Sequence, residues 1–388
     1  MWELHGEAGG ADEGKVAASG GAVSGPSVAV ALIAWHARQG RHDLPWQSDR
    51  TPYRVWVSEI MLQQTQVTTV IPYYTRFMQR FPHVRALADA PMDDVLHLWT
   101  GLGYYARARN MHRSAVLVRE EFGGEFPDTF EALASLPGIG RSTAGAILAL
   151  SQGQRYPIMD GNVKRVLSRY FGIAGSAMQR VVSDRLWQLA EACTPRERVD
   201  IYTQAIMDLG ATVCTRRKPL CAYCPLADMG PLSESCVARL TGRQHELPSP
   251  RPARERRARK VFMLVAMRED GSVLLERRPE SGVWGGLWCL PEFDTATVAR
   301  SYMQSLQPVQ GEPRALGCIE HAFTHFDLLI TPLLARCAGS AGVMDGTQNV
   351  WYNIRAPARV GLPAPVKTLL EQLAGPTMFD ERGAIGAV

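Results

Sequence analysis

Apolar positions in residues 26–240 recur at three- and four-residue spacing, through Val55–Ile71, Val95–Leu98, Met111–Val118, Ala144–Leu150, Val181–Leu189 and Ile201–Leu209. That period lays one apolar stripe along each helix. Phe81-Pro82, Gly123-Gly124, Pro137-Gly138 and Gly172 punctuate the gaps and stop the helices. Many short helices with short loops predict an all-α domain. After residue 260 the pattern changes. Val261–Met267 and Ser272–Arg277 are β-rich runs on either side of Glu269-Asp270-Gly271, and Asp-Gly in that setting signals a hairpin. Strands are further predicted over Ala315–Ile319, Phe326–Ala335 and Val350–Ile354, and a helix over Ala364–Leu373. These make a separate α+β domain. Between the two, Leu247–Lys260 interleaves Pro248, Pro250 and Pro252 with Arg251 and Arg254, as an extended linker does.

Composition narrows the class. A chain of 388 residues with 46% hydrophobic content suits two globular domains and is too apolar for a disordered one. The longest apolar runs, such as Val28–Trp35, fall far short of the roughly 20 residues of a membrane span. Met1–Gly25 is Gly/Ala-rich and acidic, unlike a secretory signal. It reads as a disordered N-terminal extension. The predicted organisation is therefore extension 1–25, helical domain 26–240, basic linker 241–260, α+β domain 261–375 and C-terminal tail 376–388. A cytoplasmic location is expected, where thiols stay reduced, bind metal or act in catalysis.

The net charge of +4 hides a division. Residues 26–240 carry 24 Lys/Arg against 19 Asp/Glu, and residues 241–260 carry 7 against 2. Residues 1–25 and 261–388 are each acidic by three charges. The basic half fits a polyanionic partner such as nucleic acid, although +5 over that length is also ordinary.

Four of the eight cysteines are spaced Cys214-x6-Cys221-x2-Cys224-x11-Cys236. Four thiolates suit zinc or an iron–sulfur cluster. A structural zinc site usually has two short pairs and this run has one, which tilts the reading toward 4Fe–4S without deciding it. Cys193, Cys289, Cys318 and Cys337 are scattered and read as core residues. Leu136-Pro137-Gly138-Ile139-Gly140 precedes a small-residue helix near Arg141. Such a turn can offer backbone N–H groups to a phosphate, or can simply join two helices. Two acids stand out. Glu59 is a lone carboxyl among apolar neighbours, and burial there raises its pKa toward that of a general acid at neutral pH. The plainer reading is a solvent-facing helix position. Asp160 precedes a helix and reads as an N-cap, as an anion set beside a developing cation, or as both.

These elements in this order resemble the endonuclease III superfamily, and more closely its MutY family of adenine DNA glycosylases. Leu44–Trp46, Trp56–Val67, Trp99–Tyr105, Leu136–Gly145, Asp160–Val166 and Met207–Ala211 carry the likeness in the first half. Gly282–Trp288 and His321–Phe326 carry it in the second. The resemblance implies a fold of two parts. The first is an all-α helix-hairpin-helix glycosylase domain with a 4Fe–4S cluster, and the second a Nudix-like α+β domain.

It also implies a reaction: hydrolysis of the N-glycosidic bond of adenine mispaired with 8-oxoguanine or guanine in double-stranded DNA, by a monomer. Glu59 would protonate N7 of the flipped base and Asp160 would stabilise the oxocarbenium-like sugar. Gln64 and Tyr104 match positions that wedge into the duplex. Trp46 and Gln204 match adenine-pocket positions, with a core aromatic as the lesser reading of Trp46 or Tyr104. Gly138 and Gly140 would bind phosphate. Strand-cutting relatives carry a lysine two residues after the last hairpin glycine. Ser142 stands there instead and cannot form a Schiff base, so base removal without efficient strand cleavage is expected. Ser142 and Lys164 are expected at the DNA. Lys164 reads first as a phosphate contact and second as an amine that traps some abasic product. Phe323-Thr324-His325 matches the family's 8-oxoguanine-reading Phe-Ser-His loop, with threonine in place of serine. Nudix hydrolases hold metal on an R-E-x-x-E-E helix, and Thr295–Leu306 contains no glutamate. No nucleotide hydrolysis is therefore expected. The last cysteine gap is longer than the family's usual five residues. Cys236 is taken as the fourth ligand, with the extra residues bulging out roughly within Leu226–Ser235. An endonuclease III-like lyase, a non-catalytic DNA-binding scaffold and a Nudix hydrolase are the rival readings.

Overall fold

In the computed structural model, which describes residues 25–229, 235–249, 256–306, 309–337 and 348–375, the stripe over Val55–Ile71 is split. Helix α1 covers Gly25–Gln39, α2 Pro52–Leu62 and α3 Val67–Arg80. The residues between α2 and α3 form a turn in which Gln64 takes a left-handed φ of 60°. Hydrophobic period alone cannot detect such a break, because the apolar positions resume in phase on the far side.

The helical part continues with α4 (Val84–Ala88), α5 (Met92–Trp99), α6 (Ala106–Glu121), α7 (Phe130–Ser135) and α8 (Arg141–Gln152). Helices α9 (Gly161–Tyr170), α10 (Arg180–Cys193), α11 (Val199–Asp208) and α12 (Val237–Leu240) complete it. Thr51 caps α2 through its side chain, and Pro52 occupies the first helical turn, where a missing N–H costs nothing. Helix α8 buries every residue from Ala144 to Leu150. Its small side chains let α2, α7 and α11 all pack against it. A single π turn, Leu209–Val213, extends α11.

Among the described residues the second part is a mixed sheet with two helices. Strand β1 covers Arg257–Arg268, β2 Ser272–Arg277, β3 Trp288–Cys289, β4 Glu292–Phe293, β5 Val309–Ala315, β6 Ile319–Ala322, β7 Phe326–Cys337 and β8 Asn349–Asn353. Helix α13 is Ala296–Leu306 and α14 is Ala364–Ala374. The order β3-β2-β1-β7-β5 places β1 beside β7. These two run parallel from Arg257 opposite Phe326 to Arg268 opposite Cys337. Strand β1 therefore begins inside the segment predicted as linker. Backbone pairing with the long β7 outweighs the polar composition of Arg257–Lys260.

The strand predicted over Ala315–Ile319 is not one strand. Ala315 ends β5, Ile319 begins β6, and Leu316–Cys318 turns between them. Cys318 is consequently exposed, which corrects its assignment to the core; Cys193, Cys289 and Cys337 are buried. The N-terminal extension, the tail from residue 376 and residues 230–234 of the expected bulge lie outside the described residues.

The two parts share one hydrophobic core in which Leu96 and Trp99 of α5 join Leu287, Trp288 and Leu362. Polar contacts fasten the seam. The Tyr105 hydroxyl donates to the Leu362 carbonyl at 3.2 Å, and the Trp288 indole N–H donates to Asp93 at 3.3 Å.

Candidate active site

A cleft of about 940 Å³ opens where α2, α8, α11 and the segment before α9 meet. That volume suits a ligand of nucleotide size. Glu59 and Asp160 both line it, together with Trp46, Gln64, Ser142, Lys164 and Gln204. Seven residues spread over 159 positions of sequence are thus brought to one cavity.

Glu59 sits on the last turns of α2 between Ser58 and Ile60, both buried. Burial pushes its carboxyl up to about 8, and the charge of Asp160 adds to the rise. At neutral pH the group therefore holds its proton, with desolvation as the main cause. Asp160 caps α9, accepting from the Val163 N–H at 2.7 Å and from the Asn162 amide at 3.0 Å. Burial raises its pKa, while these donors and the Arg165 charge pull it back. Burial raises both carboxyls in this cleft, and among the described residues only Asp160 has hydrogen-bond donors and a nearby guanidinium that favour its ionised form. Gly210 makes this possible. A Cβ there would lie 2.5 Å from the Asn162 Cβ, so only glycine lets Asn162 approach Asp160 from that side.

The structure refines several expectations. Trp46 is buried, packs edge-on against Tyr74 with centroids 5.4 Å apart, and also lines the cleft; it is both a core and a pocket residue. Tyr104 is 47% exposed, so it is no core aromatic. Ser142 accepts from the Met159 N–H at 2.9 Å and ties α8 to the Asp160 segment. Gly138, with a φ of 80°, and Gly140, the N-cap of α8, shape the hairpin but do not line the cleft.

Thr324 and His325 are the exposed tip of the β6–β7 hairpin, closed by the Phe323 N–H on the Phe326 carbonyl at 2.8 Å. Phe323 stacks on Phe326 and packs against Trp284 and His321. The Thr324 hydroxyl lies 3.3 Å from that of Tyr104. Two positions matched in separate domains of the sequence are therefore in contact. Helix α13 contains no aspartate or glutamate along its length.

Sequence reading missed Arg107. Its Nη1 donates to the carbonyls of Ile60, Met61 and Gln63 at 2.7–2.9 Å. Its Nη2 reaches the Thr65 hydroxyl at 3.3 Å and the Gly103 carbonyl at 3.1 Å. One guanidinium thus closes the C-terminus of the Glu59 helix and joins it to the turn holding Tyr104, whose φ is 49°. Favourable electrostatics at a helix C-terminus stabilise both left-handed residues. Arg107→Ala should cost about 2–4 kcal/mol of stability in urea unfolding. Arg107→Lys should recover only part, since a point charge cannot span both turns. Arg41 and Asp208 were also missed, because their contact joins residues 167 apart.

Cys214, Cys221, Cys224 and Cys236 all line one apolar cavity with Arg169 and Arg239. Arg169 is only 3% exposed. It donates to the carbonyls of Leu247 and Thr215 and to the Cys214 sulfur, the last at 3.3 Å. Among the described residues it pairs with no carboxylate. A buried guanidinium needs a countercharge, and thiolates bound to a metal centre would supply one there. Among the described residues the four sulfurs are not gathered closely enough to hold a single metal ion, but they share one cavity, and four thiols around a cavity suit a larger iron–sulfur cluster.

Two family models match the chain. The model for the HhH-GPD superfamily base excision DNA repair proteins covers residues 57–192, and that for the NUDIX domain covers residues 262–372. The adenine DNA glycosylase of Buchnera aphidicola subsp. Acyrthosiphon pisum is 38% identical over 341 residues, which is 88% of this chain and 95% of that protein. The adenine DNA glycosylase of Mus musculus is 39% identical over 356 residues, covering 76% of this chain and 68% of its own length. Among solved structures, a thermostable thymine-DNA glycosylase aligns with a TM-score of 0.49 at 27% identity, covering 56% of this chain and 97% of its own. The cleft and thiol loop of the helical part, and the acid-free helix of the sheet part, therefore sit in a chain that matches the Buchnera adenine DNA glycosylase nearly end to end and the mouse one over about two thirds of its length, and it belongs to the adenine DNA glycosylases.

Proposed function

We propose that this DNA N-glycosylase removes adenine mispaired with 8-oxoguanine or guanine and leaves the strand intact. The observation that carries the reading is the pair of carboxyls in one cleft, Glu59 held protonated near neutrality and Asp160 capped and donor-rich. The target base leaves the stack at a cost of a few kcal/mol. Glu59 gives its proton to N7, and the C1′–N9 bond breaks with its electron pair passing to the purine. The Asp160 carboxylate stabilises the cationic sugar. Water adds to C1′, and its proton returns to the Glu59 carboxylate. The products are free adenine and an abasic site.

Turnover without strand cleavage follows from Ser142, which supplies no amine. Gln64 and Tyr104, exposed on the turns joined by Arg107, fill the space the base vacates. Trp46 and Gln204 wall the base pocket. Lys164 and the amides around Gly138 and Gly140 hold phosphate. The hairpin Phe323-Thr324-His325 reads the opposite 8-oxoguanine. Its contact with Tyr104 supports this, because it sets that hairpin beside the wedge. A duplex with adenine opposite 8-oxoguanine tests the whole scheme. Abasic sites should appear as strand breaks only after alkali. Breaks before alkali would point to a lyase, and no release at all to a scaffold.

Cys214, Cys221, Cys224 and Cys236 would hold a 4Fe–4S cluster, which cross-links the loop after α11 to the rest of the helical part. Cys236→Ala should give protein without the brown visible absorbance and with a lowered Tm. Retention of full colour would show that another residue is the fourth ligand.

A further inference from the structure

Gln204 lies on α11, buried with 5% of the residue exposed, at the wall of the cleft that holds Glu59 and Asp160. A primary amide can face a cleft either way round: its oxygen accepts, its nitrogen donates. Which end is shown decides what chemistry the wall recognises.

Here the choice is forced one helical turn away. The Gln204 Nε2 donates to Asp208 Oδ1 at 2.9 Å. Asp208 is fully buried. The Arg41 backbone N–H donates to its Oδ2 at 2.9 Å and the Arg41 Nε to its Oδ1 at 2.9 Å. His36 Nε2 lies 3.4 Å from Oδ2. These contacts hold the carboxyl ionised, below the usual carboxylate range, against the opposing effect of burial. An ionised carboxylate has no proton to give and only accepts. If Gln204 were turned round, two acceptor oxygens would meet in a buried site, at a cost of several kcal/mol. The amide nitrogen is therefore committed to Asp208, and the oxygen is the end left for the cleft. Among the described residues no hydrogen bond is made to that oxygen.

We infer that Asp208 is a positioning residue for base specificity: it locks the Gln204 amide so that the pocket presents a hydrogen-bond acceptor to the exocyclic position of the flipped purine. The inference rests on the proposed role of this cleft in adenine release. A 6-amino purine offers a donor there and is accepted. A 6-oxo purine offers an acceptor, and two lone pairs then face each other. Hypoxanthine carries the same N7 and the same sugar as adenine, so the proton transfer from Glu59 is unchanged between them. A site built around a buried polar contact rejects the mismatched analogue far more strongly than an apolar wall does. Arg41 belongs to the same device. Its guanidinium keeps Asp208 charged without itself displacing the amide.

The test uses the full-length holoprotein and duplexes with adenine, hypoxanthine or unsubstituted purine at the target position opposite 8-oxoguanine. Single-turnover release is compared for the native protein, Asp208→Asn, Gln204→Leu and the double variant. Asparagine can present either its oxygen or its amide nitrogen, so the lock is lost while shape is kept. Preference for adenine over hypoxanthine should fall about tenfold or more in Asp208→Asn, whereas release of unsubstituted purine, which has no 6-substituent to read, should stay within about twofold. Gln204→Leu should lose the same preference, and adding Asp208→Asn to it should change the preference no further. Unchanged preference in Asp208→Asn, or equal losses with all three bases, overturns the inference. So does a second full loss in the double variant. Should Asp208→Asn fail to fold, Gln204→Glu decides. That side chain can show only an oxygen to the base whether its carboxyl shares a proton with Asp208 or not, so preference for adenine should survive, and its loss to the level of Gln204→Leu overturns the inference. Absence of adenine release by the native protein would instead overturn the proposed function.

Discussion

Glu59→Gln is expected to slow adenine release on the order of 10³-fold, within the range of a lost general acid, while binding to the mispaired duplex is kept. The reason is local. Glutamine matches the shape of the carboxyl but cannot pass a proton to N7, so the departing base would leave as an anion. Single-turnover release and a gel-shift titration of the same preparation separate the two effects. Near-normal release from Glu59→Gln would remove Glu59 from the mechanism.

Two pH consequences accompany it. Release by the native protein should decline as pH rises through about 8, where Glu59 loses its proton. Stability moves in the same direction. A carboxyl raised from 4.5 to about 8 on folding favours the folded state fully below pH 4.5, and that contribution is lost progressively up to its folded pKa. Glu59→Gln carries no such penalty. Its Tm should exceed that of the native protein at pH 8–9 and converge with it near pH 5. A variant that is less active and more stable at alkaline pH is what a desolvated catalytic acid predicts.

Asp160→Asn is the second large effect, a loss on the order of 10²–10³-fold in release with little change in Tm. Asparagine caps a helix about as well as aspartate, so the contact with the Val163 N–H survives. Only the negative charge beside the sugar is removed. Asp160→Ala should lose the cap as well, with Tm falling by the equivalent of about 1 kcal/mol. Equal release from Asp160→Asn and the native protein would reduce Asp160 to a cap. The two substitutions together separate the roles that the sequence left superimposed at this residue.

Much of this protein is legible without coordinates. The switch from helical period to β-rich runs divides the chain near residue 260. The isolated position of Glu59 among apolar residues, the site of Asp160 before a helix and the Cys214–Cys236 run each suggest their chemistry through local rules. The structure corrected readings in which a distant partner overrides local composition. Arg257–Lys260 looks like linker and is strand, because β7 offers it a backbone to pair with. Cys318 looks like core and is exposed, because the chain turns between β5 and β6. One apparent helix is two, because the Arg107 guanidinium holds a left-handed residue between them.

What the sequence by itself determined is the inventory: which side chains can give or take a proton, which can bind soft metal, and which segments must bury a face. Those properties depend on a residue and its near neighbours. Only the tertiary structure decided which of them act together. The protonation of Glu59 depends on burial and on Asp160, 101 positions away, and the orientation of Gln204 depends on Arg41 through Asp208. Desolvation and charge–charge coupling act through a few ångströms of space, and sequence separation says nothing about that distance.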